Sequence, residues 1–179
     1  MKRSLSIAVL LCAVSAAPAF ASLPVGSKAP LFNAEATLGG KVYSFSLADA
    51  LKKGPVVLYF YPAAFTQGCT IEAHDFAAAI GKYKALDATV IGVSHDRVAV
   101  LQKFSVSECR SKFPVAADTD HKIMRAYDAV LPQNAEYANR TSYVIVPDGT
   151  IIYTYTNLNP DQHVANTLAA LRNWKATHK

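Results

Sequence analysis

Residues 56–73 read VVLYFYPAAFTQGCTIEA and join a continuous apolar segment to the start of a helical pattern. The run from Val56 to Tyr61 consists of β-forming residues without polar alternation, and prolines stand on both sides of it. Such a run is typical of a strand that is buried on both faces of a sheet. Apolar residues then recur near helical spacing from Thr66 to Leu86, which predicts a long helix directly after this strand.

The alternation of strands and helices continues in both directions from this segment. The sequence predicts further strands at 41–45, 88–93, 113–117, 141–146 and 151–155, and helices at 97–111, 121–127 and 161–174. Asp96 is predicted to cap the helix at 97–111, whereas residues 24–38 are turn-rich and are assigned no strand. The pattern indicates one α/β domain, a thioredoxin-like three-layer sandwich with a mixed central sheet and an N-terminal extension.

Composition and charge exclude several classes of protein. The chain has 179 residues, of which 51% are apolar and 17% are charged, so it is not intrinsically disordered. Its formal net charge is +5, but no run of Lys and Arg and no basic stripe with interleaved aromatic residues follows the first three positions. We therefore predict no nucleic-acid partner.

The first 21 residues are predicted to be a signal peptide that is removed. Lys2 and Arg3 precede an apolar stretch, and small residues end in the A-x-A pattern Ala19-Phe20-Ala21. A transmembrane anchor is the weaker alternative, because the apolar run is short and Pro18 breaks its end. We predict a domain over residues 22–179 that is exported to the bacterial periplasm and is not held at the membrane after cleavage.

Two cysteines, Cys69 and Cys109, lie in the predicted domain. They are too few for a disulfide framework. The sequence has no C-x-x-C motif, which is the dithiol signature of thioredoxin-like oxidoreductases. No pair of His or Cys has zinc-binding spacing, so neither a metal nor another cofactor is predicted. Three further histidines are not spaced as metal ligands usually are, and we predict that they are surface groups: His95, His121 and His163.

Cys69 falls in the first turn of the helix that follows the buried strand. Backbone N–H groups in this turn lack hydrogen-bond partners, and the helix dipole places partial positive charge at the N-terminus. Both effects favour a thiolate over a thiol. Thr66, three residues earlier, can cap the helix. The alternative is a buried structural cysteine that follows an ordinary threonine cap.

The pattern Pro62-x-x-x-Thr66-x-x-Cys69 resembles the active-site signature of the peroxiredoxins, and residues 61–73 are most similar to the bacterioferritin-comigratory, or Q-type, branch. The similarity extends along the chain, through KAPLF at 28–32, IGVS at 91–94, FP at 113–114 with Asp118, and RTSYVIVPDG at 140–149. The resemblance implies a thiol peroxidase that reduces hydrogen peroxide and organic hydroperoxides through a sulfenic acid. It also implies recycling by a thioredoxin-like thiol reductant, no cofactor, and a monomer or homodimer.

The resemblance also implies a role for each matching residue. Cys69 corresponds to the peroxidatic nucleophile, Thr66 to the residue that hydrogen-bonds the thiolate and peroxide, and Pro62 to the residue that shields the site from water. Arg140 corresponds to the arginine that stabilises the thiolate, and Glu72 resembles an acid that orients it. The residues alone do not distinguish Arg140 from a solvated charge at a strand end, nor from three other arginines, Arg97, Arg110 and Arg125.

Two positions depart from the Q-type pattern. Gln67 stands where the branch usually has proline, and His74 stands where many members carry a resolving cysteine, five residues after the first. His74 is predicted to be a surface helix residue. Cys109, near the end of the predicted helix 97–111, is then the remaining intramolecular candidate for a resolving cysteine. The alternative is a one-cysteine enzyme that an outside thiol reduces.

Two further functions stay open because one scaffold serves many activities. One is an exported thioredoxin-like thiol–disulfide exchange protein, against which the absence of C-x-x-C counts. The other is a non-catalytic redox-sensing module, in which Cys69 would react slowly with peroxide.

Overall fold

The computed structural model describes residues 22–178, so the predicted signal peptide at 1–21 lies outside the described residues. Within that range the strands are β1 (Asn33–Leu38), β2 (Lys41–Ser46), β3 (Val56–Phe60), β4 (Thr89–Ser94), β5 (Val115–Ala117), β6 (Thr141–Ile145) and β7 (Ile151–Thr156). The helices are α1 (Leu47–Leu51), α2 (Gln67–Lys84), α3 (Val98–Ser107), α4 (Lys122–Ala126) and α5 (His163–Thr177). Between 22 and 178, no helix combines the length and the apolar character that crossing a membrane requires.

The strands form one mixed sheet in the order β2-β1-β5-β4-β3-β6-β7. β3 is parallel to β4 and antiparallel to β6, and all five of its residues are buried. Alternate side chains of β3 enter two separate apolar clusters, with Leu58 in the cluster beside α1 and α4 and Tyr59 in the cluster beside α2, α3 and α5. The predicted three-layer α/β fold with a buried central strand is therefore confirmed.

β1 is the strand that the sequence does not predict. Its sequence, NAEATL, is poor in β-forming residues, but it pairs with β2 on one side and with β5 on the other. Gly39 and Gly40 form the two-residue turn between β1 and β2 with φ of 55° and 78°, angles that glycine adopts without steric strain. Pairing with a strand on each side thus makes this segment a strand, although its own residues have a low preference for β-structure.

The cap predicted for the helix at 97–111 is wrong. α3 begins after Arg97, which makes no side-chain cap, and the Asp96 carboxylate instead accepts hydrogen bonds from Ala64 N at 2.7 Å and from Ser94 Oγ at 2.8 Å. Asp96 therefore ties the loop that precedes α2 to the end of β4. α3 also ends earlier than predicted, at Ser107, so Cys109 lies beyond the helix.

Candidate active site

Cys69 is the third residue of α2, close to the carboxyl end of the central strand β3. Its position in the first helical turn agrees with the sequence prediction, and the residue is only 2% exposed. The connecting loop contains Phe65 at a φ of 64°, and the Phe65 ring meets Phe104 edge-on at 5.2 Å between centroids. The sulfur is thus held at a helix N-terminus, under a loop that packs against α3.

Thr66 occupies the N-cap position of α2, but its side chain makes no cap. The Thr66 hydroxyl donates to the carbonyl of Ala63 at 3.0 Å instead, so the predicted side-chain cap is wrong. The residue is exposed, and Pro62 in the same loop is partly buried. Because its hydrogen is donated to Ala63, the Thr66 hydroxyl keeps lone pairs that can accept a hydrogen bond.

Arg140 is the arginine that the fold brings to Cys69. Its Nη2 lies 3.5 Å from Cys69 Sγ, its Nη1 pairs with Glu72 Oε2, and its Nε donates to the carbonyl of Leu158 at 2.9 Å. The residue is 4% exposed, so the interpretation as a solvated strand-end charge is wrong. The other three arginines that the sequence left open are exposed: Arg97, Arg110 and Arg125.

Sheet register explains why Arg140 reaches this position. β6 is antiparallel to β3 with Thr141 opposite Phe60, so the residue before β6 stands at the carboxyl end of β3. α2 begins at that same end, because the chain leaves β3 there. Two segments that are far apart in sequence therefore place a guanidinium and a thiol together.

Gly68 is a site residue that the sequence analysis missed. A Cβ atom at this position would lie 3.0 Å from Arg140 Nη2, closer than side-chain carbons normally approach another atom. The absence of a side chain therefore leaves the space that the guanidinium fills beside the helix. A glycine in a first helical turn, where alanine is the better helix former, is the signal that could have identified it.

Glu72 lies one turn after Cys69 on the same face of α2 and is fully buried. One carboxylate oxygen, Oε2, pairs with Arg140, while Oε1 has no hydrogen-bond partner among the described residues. Burial raises the pKa of Glu72 to about 7, although the positive charge of Arg140 acts in the opposite direction. Glu72 thus contacts Arg140, as the resemblance implies, and can hold a proton near neutral pH.

His163 was predicted to be a surface group, and this prediction is wrong. The residue begins α5 and is fully buried. Its Nδ1 lies 2.8 Å from Ser142 Oγ and 3.6 Å from Glu72 Oε1, and its Nε2 lies 2.9 Å from the carbonyl oxygen of Asn157. Burial lowers the pKa of His163 to about 4, so the imidazole is neutral at physiological pH. The partners come from other parts of the fold, which is why residue spacing did not reveal this position.

Cys109 is fully buried and forms no disulfide. Burial raises the pKa of its thiol well above the usual range, and the charge of Glu108 acts in the same direction. His74 is only partly on the surface, because its Nε2 lies 2.8 Å from Glu108 Oε2. The two cysteines border one apolar cluster, but the structure keeps Cys109 away from solvent.

Together these features define a class of protein. It has a thioredoxin fold in which one thiol, rather than a dithiol pair, sits at a helix N-terminus against a buried guanidinium. The model of the AhpC/TSA family matches residues 25–154, which is most of the chain. The chain therefore belongs to the AhpC/TSA family.

Relatives and solved structures agree with this assignment. The chain is 33% identical over 154 residues to a Helicobacter pylori protein that carries the peroxiredoxin bcp name, covering 83% of this chain and 98% of the relative. It is 35% identical to the chloroplastic peroxiredoxin Q of Triticum aestivum over 75% of this chain and 60% of that longer protein. The structure superposes on peroxidoxin BcpB from Mycobacterium tuberculosis with a TM-score of 0.75 and 28% identity, over 83% of this chain and 96% of that one. The similarity to the Q-type peroxiredoxins is thus supported by both sequence and structure.

Proposed function

We propose that the chain is a thiol peroxidase in which Cys69 is the peroxidatic residue. The contact between Arg140 Nη2 and Cys69 Sγ at 3.5 Å carries the proposal, because it places a fixed positive charge at a sulfur in a helix N-terminus. Thr66, Pro62 and Glu72 complete the site in this proposal. The names of the relatives, which are peroxiredoxins, support the same reaction.

The first step is attack on the peroxide by the Cys69 thiolate. An S–O bond forms while the O–O bond breaks, the sulfur loses two electrons to become a sulfenic acid, and the leaving oxygen takes a proton as water or an alcohol. A free cysteine is only about 3% ionised at pH 7, so full ionisation accelerates the step by at most about 30-fold. The remaining acceleration must come from donors aimed at the oxygens in the transition state. We assign this task to Arg140, while the Thr66 hydroxyl, which donates its hydrogen to Ala63, can accept the hydrogen of the peroxide.

Recycling uses a thiol reductant, for which a thioredoxin-like protein is the proposed partner. One thiol of the reductant attacks the sulfenic sulfur, which releases water and forms a mixed disulfide. A second thiol then attacks that disulfide and regenerates the Cys69 thiol. The burial of Cys109 supports an outside thiol as the first attacking group, because burial raises the pKa of this thiol and so disfavours the thiolate that would attack.

The experiment that tests the proposal measures peroxide consumption by the full protein with a dithiol reductant. We expect Cys69→Ser to abolish consumption and Cys109→Ser to retain the first, peroxide-dependent step. Retention of activity in Cys69→Ser would overturn the proposal. Reduction of insulin without peroxide consumption would favour the exchange protein, and oxidation of Cys69 at the rate of a free thiol would favour the redox sensor.

We also propose export to the periplasm, on the basis of the sequence pattern at residues 1–21. N-terminal sequencing of the protein from a periplasmic fraction tests this proposal. A mature protein that begins at Ser22 is the expected result, and an intact Met1 would contradict it.

A further inference from the structure

The charges around Cys69 are unbalanced if every acid in the site is ionised. Arg140 contacts both the Cys69 sulfur and the Glu72 carboxylate, and all three groups are almost completely buried. A thiolate and a carboxylate against one guanidinium would leave one net negative charge in an apolar environment, which is unfavourable. A proton held on one of the two acids removes this excess charge.

The geometry shows which atom can hold that proton. Glu72 Oε2 already pairs with Arg140, so the free position is Oε1, which has no hydrogen-bond partner in residues 22–178. The ring atom His163 Nδ1 lies 3.6 Å from Oε1, and a shift of a few tenths of an ångström would bring the pair to hydrogen-bond distance.

The tautomer of His163 follows from its other contacts. Nε2 lies 2.9 Å from the carbonyl oxygen of Asn157, which can only accept, so Nε2 carries the hydrogen. The lone pair of Nδ1 then accepts a hydrogen bond from Ser142 Oγ at 2.8 Å, and an O–H on Glu72 Oε1 would share that lone pair. His163 therefore presents a shared acceptor to Glu72 Oε1, a contact that is favourable only when Oε1 carries a proton.

We propose that His163 is a positioning residue of the peroxidase site, which keeps Glu72 protonated on Oε1 while Cys69 is a thiolate. When Cys69 ionises, its S–H bond breaks and an O–H bond forms on Glu72 Oε1. The proton moves between the two residues, and neither residue is oxidised or reduced. Arg140 is then opposed by one negative charge, that of the thiolate. The inference rests on the proposed peroxidase function and adds to it the group that receives the thiol proton.

The other titratable groups around Glu72 are consistent with this state. Asp75, on the same helix, raises the pKa of Glu72 further by its negative charge. The phenols of Tyr59 and Tyr83 remain neutral, because burial raises the pKa of both. The neutral form of His163, which burial favours, is the form that can accept a hydrogen bond from protonated Glu72.

The pH dependence of the peroxide reaction tests the inference with four variants. His163→Leu removes the Nδ1 acceptor with a side chain of similar volume, whereas His163→Asn keeps an oxygen near the Nδ1 position. Glu72→Gln replaces the carboxyl group with an amide that does not titrate. Thr167→Val is the matched control: Thr167 is buried on the same helix, and its hydroxyl bonds to Tyr83 and to the backbone carbonyl of His163 but not to the His163 ring or Glu72.

We expect His163→Leu to move the midpoint of the rate-against-pH curve upward by about one pH unit, a tenfold slower reaction below the midpoint. His163→Asn should recover most of this loss, and Thr167→Val should leave the midpoint in place. In a Glu72→Gln background, His163→Leu should cause no further shift. An unchanged midpoint in His163→Leu, or an equal shift in the Glu72→Gln background, would overturn the inference.

Infrared spectroscopy provides a readout that does not depend on activity. At about pH 6, below the pKa of about 7 for Glu72, the reduced protein should show the carbonyl band of a protonated carboxyl group. Glu72→Gln should lose this band, and His163→Leu should weaken it. If the wild-type protein consumes no peroxide, the proposed function fails; if it is active but Glu72→Gln loses no band, only the proton-holding role fails.

Discussion

Arg140 Nη2 lies 3.5 Å from Cys69 Sγ, although 71 residues separate the two positions in the chain. The antiparallel register of β6 on β3 brings them together, because it sets the residue before Thr141 beside the end of β3. Any change that moves the guanidinium without unfolding the sheet should therefore alter the chemistry of Cys69 selectively.

Gly68→Ala is such a change. The added Cβ would lie 3.0 Å from Arg140 Nη2, so the guanidinium must shift by a few tenths of an ångström, which changes its contact with the sulfur. We expect the peroxide reaction to slow by about tenfold, equivalent to about 1.4 kcal/mol of lost transition-state stabilisation, with little loss of stability. Stopped-flow measurement of the peroxide reaction checks this.

Gly81→Ala is the matched control, since Gly81 lies in the same helix and its added Cβ would contact nothing within 4 Å. It should raise the free energy of unfolding by about 0.5–1 kcal/mol without changing the rate. Equal rates in Gly68→Ala and Gly81→Ala would show that the position of the guanidinium does not limit the reaction.

Arg140→Ala should affect both activity and stability. It leaves Glu72 buried without its positive partner, and removal of one member of a buried ion pair costs about 3–5 kcal/mol. We expect urea denaturation at about pH 8 to show this loss together with a much slower peroxide reaction. Combining Arg140→Ala with Glu72→Gln should restore much of the stability, because no buried charge remains, but not the rate. Recovery of the rate in the double variant would remove Arg140 from the mechanism.

Glu72 and His163 should have opposite effects on stability as the pH changes. The pKa of Glu72 rises from 4.5 to about 7 on folding, so the unfolded chain loses the proton first and stability falls between these values. The pKa of His163 falls from 6.5 to about 4, so the unfolded chain binds the proton first and stability rises with pH over that window.

Glu72→Gln should separate the two effects. Each pKa unit corresponds to about 1.4 kcal/mol, so the variant should gain about 2 kcal/mol or more relative to the wild type between pH 4.5 and 7. Urea denaturation at several pH values measures this difference. A constant difference between the two proteins would mean that Glu72 does not titrate in this range.

Cys109 should form a disulfide with Cys69 only slowly, because it is fully buried in a turn held to α2 by the contact between His74 and Glu108. Mass spectrometry after one equivalent of peroxide should first show oxygen added at Cys69. Loss of two hydrogens, the sign of a Cys69–Cys109 disulfide, should follow about two- to fivefold faster in His74→Ala, since a partly exposed pair contributes at most about 1 kcal/mol.

Lys103→Ala, an exposed change on α3, is the control for this effect and should leave the disulfide rate unchanged. A disulfide that forms as fast as the peroxide reacts would show that Cys109 needs no opening of the turn.

Local patterns in the sequence were sufficient for the central strand, the helix after it and the cysteine in its first turn. A continuous β-forming run bounded by prolines, followed by residues at helical spacing, identifies β3 and α2 because both signals depend on near neighbours. β1 lacked such a signal and became a strand only through pairing with β2 and β5.

The residues that surround the sulfur depended on the tertiary structure. Local patterns could not distinguish Arg140 from three other arginines or show that His163 is buried, because both follow from how β6 and α5 pack against β3 and α2. The chain alone therefore specified the sulfur that we propose to be reactive and the helix that holds it. The charges and protons around that atom were specified by long-range packing, in which groups distant in sequence share one buried space.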